Sequence, residues 1–172
     1  MKKYLWLMVG PPGTGKSTAA KKIFQKDAMY VSRDEIRFAL LEPGDDYFDK
    51  EEEVVSTFYK TIADTADEGK VVIADATHLN EKVRKATVNA VRLNEDDELI
   101  LNAVVACTPI NIALERNRQR TGRAKVPDTV IRNMYAGCTD PKDDKDLDYT
   151  FILYINENQE IIDCYSKLQK EG

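Results

Sequence analysis

Residues 4–9 form a short apolar run that breaks directly into Gly10-Pro-Pro-Gly13-Thr-Gly15-Lys16-Ser17. No other stretch constrains the chain as much. The motif satisfies GxxxxGK[ST] at every fixed position. Glycine tolerates the positive φ that turns successive backbone N–H groups toward one anion. A strand before the loop and a helix after it add the positive end of the helix dipole. In this pattern Lys16 neutralises the β- and γ-phosphates of a nucleoside triphosphate, and the Ser17 hydroxyl ligates Mg²⁺. ATP and Mg²⁺ are therefore the expected cofactors. Gly10, Pro11, Pro12, Gly13, Thr14, Gly15, Lys16, Ser17 and Thr18 are expected around the phosphates. The alternative is a Gly-Pro turn at a strand end with no ligand, and the strand–loop–helix context argues against it.

Four more apolar runs follow, at residues 29–31, 71–74, 99–106 and 151–155. They are nearly continuous, as strands covered on both faces are. Helical stripes lie between them: Ala19, Ala20, Ile23 and Phe24; then Val54, Val55, Phe58, Tyr59, Ile62 and Ala66; then Val83, Ala86, Ala90 and Val91. Each recurs at three- and four-residue spacing. This alternation predicts an α/β chain, a three-layer P-loop NTPase fold with a mainly parallel sheet flanked by helices. Residues 43–49 read as an acidic loop between two helices and 138–148 as a second polar loop. Residues 151–162 read as a hairpin turning at Asn156-Glu157-Asn158. The 172 residues suit one domain with no second catalytic unit.

Three segments put acids and arginines where phosphoryl transfer would use them. Asp75 ends the apolar run Val71-Val-Ile-Ala74, so it would lie at a carboxyl edge of the sheet beside the phosphate loop and hold Mg²⁺ or its water shell. Thr77 and Asn80 follow it, and capping of backbone N–H groups is the other use for such residues. Ser32-Arg33-Asp34-Glu35-Ile36-Arg37 follows the second strand. Ser32 with Glu35 is a capping box, and Asp34 suits a first helical turn. Asp34 could also accept the proton of an attacking hydroxyl, with Arg37 on the same helix face gripping a phosphate on the acceptor. The densest basic stretch runs Glu115-Arg116-Asn-Arg118-Gln-Arg120-Thr-Gly-Arg123-Ala-Lys125. Arg116 and Arg120 repel at i, i+4 spacing, a cost that an anion between them would offset. With a bend at Thr121-Gly122 and a new helix after Pro127, residues 116–127 read as an Arg-rich lid whose arginines stabilise transferring charge. A solvated basic helix face with a Glu115–Arg118 pair is the plainer alternative.

Taken in order, GPPGTGKST, SRDEIR, ADATHLN and ERNRQRTGRAKVP, the last followed by a helix with Met134-Tyr135, resemble the kinase domain of the phage-type polynucleotide 5′-hydroxyl kinase family. The likeness covers about residues 1–137, leaving 138–172 unmatched. It implies that Lys16 and Ser17 contact ATP and Mg²⁺ and that Asp34 is the general base for a 5′-hydroxyl. It implies that Arg37 contacts the phosphate next to the acceptor nucleoside, and that Asp75 and Thr77 belong to the family's D-x-T motif. Arg116 and Arg120 match the lid arginines, Arg120 nearest the transferred phosphoryl group. Two departures stand out. The lid carries one extra residue before Pro127, so Arg123 and Lys125 receive no role, and His78 replaces an Asn. His78 has no acid partner in sequence and is read as structural. Asp146-Leu-Asp148-Tyr-Thr150 fits the DxDxT nucleophile pattern of the family's phosphatase domain. It lacks the apolar strand that such a site requires, and no 3′-phosphatase activity is expected.

The expected partner is thus a 5′-hydroxyl end of DNA or RNA. Net charge is −5, which disfavours a nucleic-acid coat protein but leaves room for a local basic groove. A P-loop kinase of a nucleoside, sugar or antibiotic remains the alternative, as does a nucleotide-binding ATPase without an acceptor base. Three scattered cysteines without a CxxC suit a reducing, cytoplasmic setting. No run is long enough to span a bilayer, and no membrane partner is expected. The oligomeric state is left open.

Overall fold

The computed structural model describes residues 1–23 and 28–167. Six strands form one sheet in the order β2-β3-β1-β4-β5-β6. These are β1 (Lys2–Val9), β2 (Ala28–Ser32), β3 (Val71–Asp75), β4 (Glu98–Ala106), β5 (Phe151–Ile155) and β6 (Ile161–Ser166). The first five run parallel and only β6 is antiparallel, pairing with β5. The hairpin predicted from residue 151 is present. Its turn is tied by the Asn156 side-chain carbonyl, which accepts the N–H groups of Asn158 at 2.9 Å and Glu160 at 3.0 Å.

Both faces of the sheet are covered, which is why the strands read as continuous apolar runs. Leu5, Leu7 and Val9 of β1 pack with Val72, Ala74, Leu101 and Ala103 against Phe58, Ile62 and Ala66 of α3 (Glu51–Asp67). Met8, Ile73, Val104 and Ala106 face the other way, against Ala19 and Ala20 of α1 (Lys16–Ile23). Phe24, assigned to the same stripe, lies outside the described residues.

The remaining helices are α2 (Arg33–Leu40), α4 (Glu81–Val88), α5 (Ile110–Arg118) and α6 (Asp128–Ala136). The Ser32 hydroxyl caps α2 by accepting the Glu35 N–H at 3.2 Å. The reciprocal half of the capping box is absent, because the Glu35 carboxylate accepts from Lys21 instead.

The stripe expected on α4 holds only in part. Val91 is buried in the core and Ala90 packs against it, but Ala86 is exposed and the helix ends before Ala90 and Val91. Its buried residues are Arg84 and Thr87. Arg84, wholly enclosed, donates to both Asp144 carboxylate oxygens, to the His78 carbonyl at 2.9 Å and to the Thr139 carbonyl and hydroxyl. A buried guanidinium is tolerable when its donors are satisfied and its charge is paired. Arg84 thereby fastens the polar loop at 138–148, and Tyr149 adds a hydrogen bond to Asp144 at 2.9 Å.

Candidate active site

β1 ends in the glycine loop, which turns back over the strand ends. Gly10, Gly13 and Gly15 have φ values of 146°, 82° and 89°, the region that L side chains avoid. Space also demands glycine at Gly13, where a Cβ would stand 2.5 Å from the Ala113 carbonyl oxygen of α5. The Gly10 N–H donates to the Thr77 carbonyl at 2.9 Å. The buried Thr14 hydroxyl donates to the Pro11 carbonyl at 2.8 Å, and Thr108 donates to the Thr14 carbonyl at 2.7 Å. Thr18 is exposed on the first turn of α1.

Strand register places Asp75 beside Met8 on one side and Ser32 on the other, so the three carboxyl-edge positions form one row. Asp75 is 4% exposed. It accepts the Ser17 hydroxyl at 2.5 Å and, on the same oxygen, the Tyr30 hydroxyl. Lys16 Nζ is 3.9 Å from its other oxygen. Burial first, and the Asp75 charge second, push the Tyr30 hydroxyl above its usual pKa, so it remains a donor. Asp75 is thus no helix cap; Asn80 caps α4, accepting the Val83 N–H at 3.1 Å. The donor set of Ser17 Oγ and Asp75 suits Mg²⁺, which takes one or two protein oxygens and completes its shell with phosphate and water. No group of three or more His, Cys, Asp or Glu is placed to hold a metal ion among the described residues.

A cavity of about 280 Å³ joins this pair to the residues that start α2. Lys16, Ser17, Asp75, Thr77, Asp34, Arg37 and Arg120 all line it. Asp34 and Arg37 are brought together: Arg37 Nη1 donates to Asp34 Oδ1 at 2.9 Å. Tyr47 lies in the loop before α3, and its hydroxyl donates to the same Asp34 oxygen at 2.8 Å. Two donors on Oδ1 fix the carboxylate and leave Oδ2 without a partner among the described residues. Arg37 is only 3% exposed, and its second nitrogen donates to Glu51 at the start of α3. Arg33 donates to the other Glu51 oxygen. Burial is the largest single influence on Arg37 and Glu51 and opposes both charges, but their mutual hydrogen bond and the neighbouring charges together outweigh it, raising the arginine and lowering the carboxylate. The Nε atoms of Arg33 and Arg37 are buried without a hydrogen-bond partner.

The lid residues part company. Arg120 is exposed, lines the cavity and has no acid partner among the described residues. Arg116 does not line that cavity. Its nitrogens donate to the Gly13 carbonyl at 3.3 Å and the Glu157 carbonyl at 2.7 Å, pinning α5 to the glycine loop. Asn117, fully enclosed, secures the returning chain: it donates to the Val126 carbonyl at 2.6 Å and accepts the Val126 N–H at 3.0 Å. Lys125, Val126, Pro127 and Met134 then border the cavity.

Several contributors escaped the sequence reading. Tyr30, Tyr47, Glu51 and Asn117 are joined to the site only by tertiary contacts. One signal was available: Arg33 and Arg37 stand at i, i+4, a like-charge pair that calls for an acid such as Glu51. The hairpin turn also reaches the loop, and a Cβ on Gly15 would stand 2.9 Å from Gln159 Nε2. His78 is structural, as expected. It sits fully buried at φ 46°, with Nδ1–H donating to the Met8 carbonyl at 2.8 Å and Nε2 accepting from Thr87 at 3.0 Å. Burial drives its pKa down to about 4. Asp146 and Asp148 are exposed and ion-paired to Lys85 and Lys167, an arrangement unlike a nucleophile site.

A family model described as an AAA domain, AAA_33, matches residues 5–141. No curated protein matches the chain significantly. Among solved structures, a sugar kinase from Janibacter sp. HTCC2649 superposes with a TM-score of 0.62 at 15% identity, covering 92% of this chain and 87% of that one. A chain of the Pnkp1/Rnl/Hen1 RNA repair complex gives 0.61 at 23% identity, over 78% of this chain and 43% of that one. A fungal RNA kinase gives 0.58 at 14% identity, with coverages of 90% and 74%. At these identities the likeness is one of fold. No helix among the described residues is long and apolar enough to cross a membrane.

Proposed function

The chain belongs to the AAA_33 family of AAA domains, with a P-loop kinase fold, and from that premise we propose that it transfers the γ-phosphate of ATP to the 5′-hydroxyl end of DNA or RNA. One observation carries the proposal. A single cavity holds the Ser17–Asp75 pair together with an oriented Asp34 carboxylate and an adjoining arginine, Arg37.

Each residue then has a task. The glycine loop and Lys16 hold the triphosphate. Ser17 and Asp75 would hold Mg²⁺, which neutralises charge between the β- and γ-phosphates. Asp34, steadied on Oδ1 by Arg37 and Tyr47, takes the hydroxyl proton on Oδ2 as the oxygen attacks the γ-phosphorus and the bond to the β–γ bridging oxygen breaks, releasing ADP. Arg120 enters from the lid to balance charge on the transferring group. Arg37, anchored by Glu51, offers its edge to the phosphate that follows the acceptor nucleoside. The RNA repair complex and the fungal RNA kinase among the structural neighbours agree with such an acceptor.

A small-molecule acceptor is the second reading. Arg33 and Arg37 are matched by Asp34 and Glu51, which leaves little net positive charge for an acceptor phosphate. A sugar kinase is also among the neighbours. The test supplies γ-labelled ATP and Mg²⁺ with a 5′-hydroxyl oligonucleotide, a 3′-nucleotide, a free nucleoside or a hexose. Label is expected on the oligonucleotide and the 3′-nucleotide. Equal labelling of nucleoside or hexose would sink the polynucleotide assignment in favour of the small-molecule one.

A further inference from the structure

Phe48 stands at the mouth of the same cavity and is 68% exposed. A lone exposed apolar side chain needs no explanation, but this one is built into the acceptor side. Its ring meets Tyr47 edge-on, with centroids 4.8 Å apart at 84°. The Tyr47 ring lies under the Arg37 guanidinium at 4.2 Å, and its hydroxyl holds Asp34. Phe38, 43% exposed, braces Tyr47 from another side at 6.2 Å. One residue, Tyr47, therefore bridges the base that takes the hydroxyl proton and the exposed ring of Phe48, which the Arg37 guanidinium approaches to 5.9 Å.

We propose that Phe48 is the platform on which the nucleobase of the acceptor's terminal nucleoside stacks, making it a specificity-determining residue for base-bearing acceptors. The inference rests on the polynucleotide reading above. A nucleoside whose 5′-hydroxyl met Asp34 would have the exposed Phe48 ring within the same cavity lining. Stacking tolerates every base, because each has a π-face. The platform would thus select for a base over none, without choosing among bases.

The experiment compares wild type, Phe48→Ala, Phe48→Leu and Phe48→Trp on a 5′-hydroxyl oligonucleotide and on the same strand with an abasic first nucleotide. With the base present, Phe48→Ala should raise acceptor KM about 5- to 150-fold, the range of one lost stack. Its kcat and ATP KM should stay within about twofold of wild type. Phe48→Trp should restore KM, and Phe48→Leu should not. On the abasic strand, wild type and Phe48→Ala should have the same raised KM. Equal KM increases on both strands, or rescue by leucine, would overturn the platform while leaving the kinase assignment standing. Failure of wild type to label any oligonucleotide would overturn both.

Discussion

Acidification from pH 7 to pH 5 should destabilise this fold through one residue, His78, the only histidine in the chain. Its imidazole is fully enclosed, and the Met8 carbonyl fixes its proton on Nδ1. Taking a second proton would place one on Nε2, which accepts the Thr87 hydroxyl. Burial holds its folded pKa at about 4, whereas an unfolded histidine titrates near 6.5. Between those values the unfolded chain binds a proton that the native chain refuses. Stability therefore falls as pH drops below about 6.5 and levels off below about 4. The full difference is about 3 kcal/mol, of which about 2 kcal/mol is lost by pH 5. The depressed carboxylates act lower. Asp97, Asp64, Asp67 and Glu51 lose their contribution only as pH falls through and below their ordinary range near 4. Urea unfolding at pH 7, 6 and 5 thus isolates the histidine. His78→Asn keeps a residue suited to positive φ. It should lose about 1–3 kcal/mol at pH 7 through broken hydrogen bonds, and lack the loss between pH 7 and 5. A variant that loses as much over that interval as wild type would refute this account. His78 sits between Thr77, which holds the glycine loop, and α4, so the same titration loosens the segment carrying Asp75.

Three other substitutions probe separate parts. Gly13→Ala should cost about 2–4 kcal/mol from positive φ and collision with the Ala113 carbonyl, and calorimetry should find ATP binding weakened at least about tenfold. Arg84→Met leaves Asp144 buried and unpaired, so chemical denaturation should register a loss of about 3–5 kcal/mol, with exchange protection lost first around residues 138–148. Glu51→Gln should cost about 1–2 kcal/mol at pH 7. Because Glu51 titrates below its usual range, that deficit should persist down to about pH 4 and shrink only below it, and acceptor KM should rise with ATP KM unchanged.

Features that depend on local pattern were legible in the sequence. The five parallel strands are apolar runs because two helical layers cover them, and the glycine loop declares itself by positions that only glycine fills. Asp75 was legible because it ends such a run. The stripe on α4 misled because burial there is polar: Arg84 and Thr87 face inward to bond Asp144 and His78, partners distant in sequence or hidden by a turn. Arg116 and Arg120 looked equivalent by spacing, yet α5 ends at Arg118, which leaves Arg116 on the helix bound to the glycine loop and Arg120 beyond it at the cavity. Glu51, Tyr47 and Asn117 carry no local signature, since each acts through a partner on another element.

The central claim is that Asp34 accepts the acceptor's proton while the glycine loop holds the donor. Single-turnover transfer from γ-labelled ATP to a 5′-hydroxyl oligonucleotide tests it most directly, comparing wild type with Asp34→Asn at saturating ATP. The account predicts a rate lower by about 10²–10⁴-fold in the variant, with ATP affinity unchanged. Transfer by Asp34→Asn at the wild-type rate would contradict it.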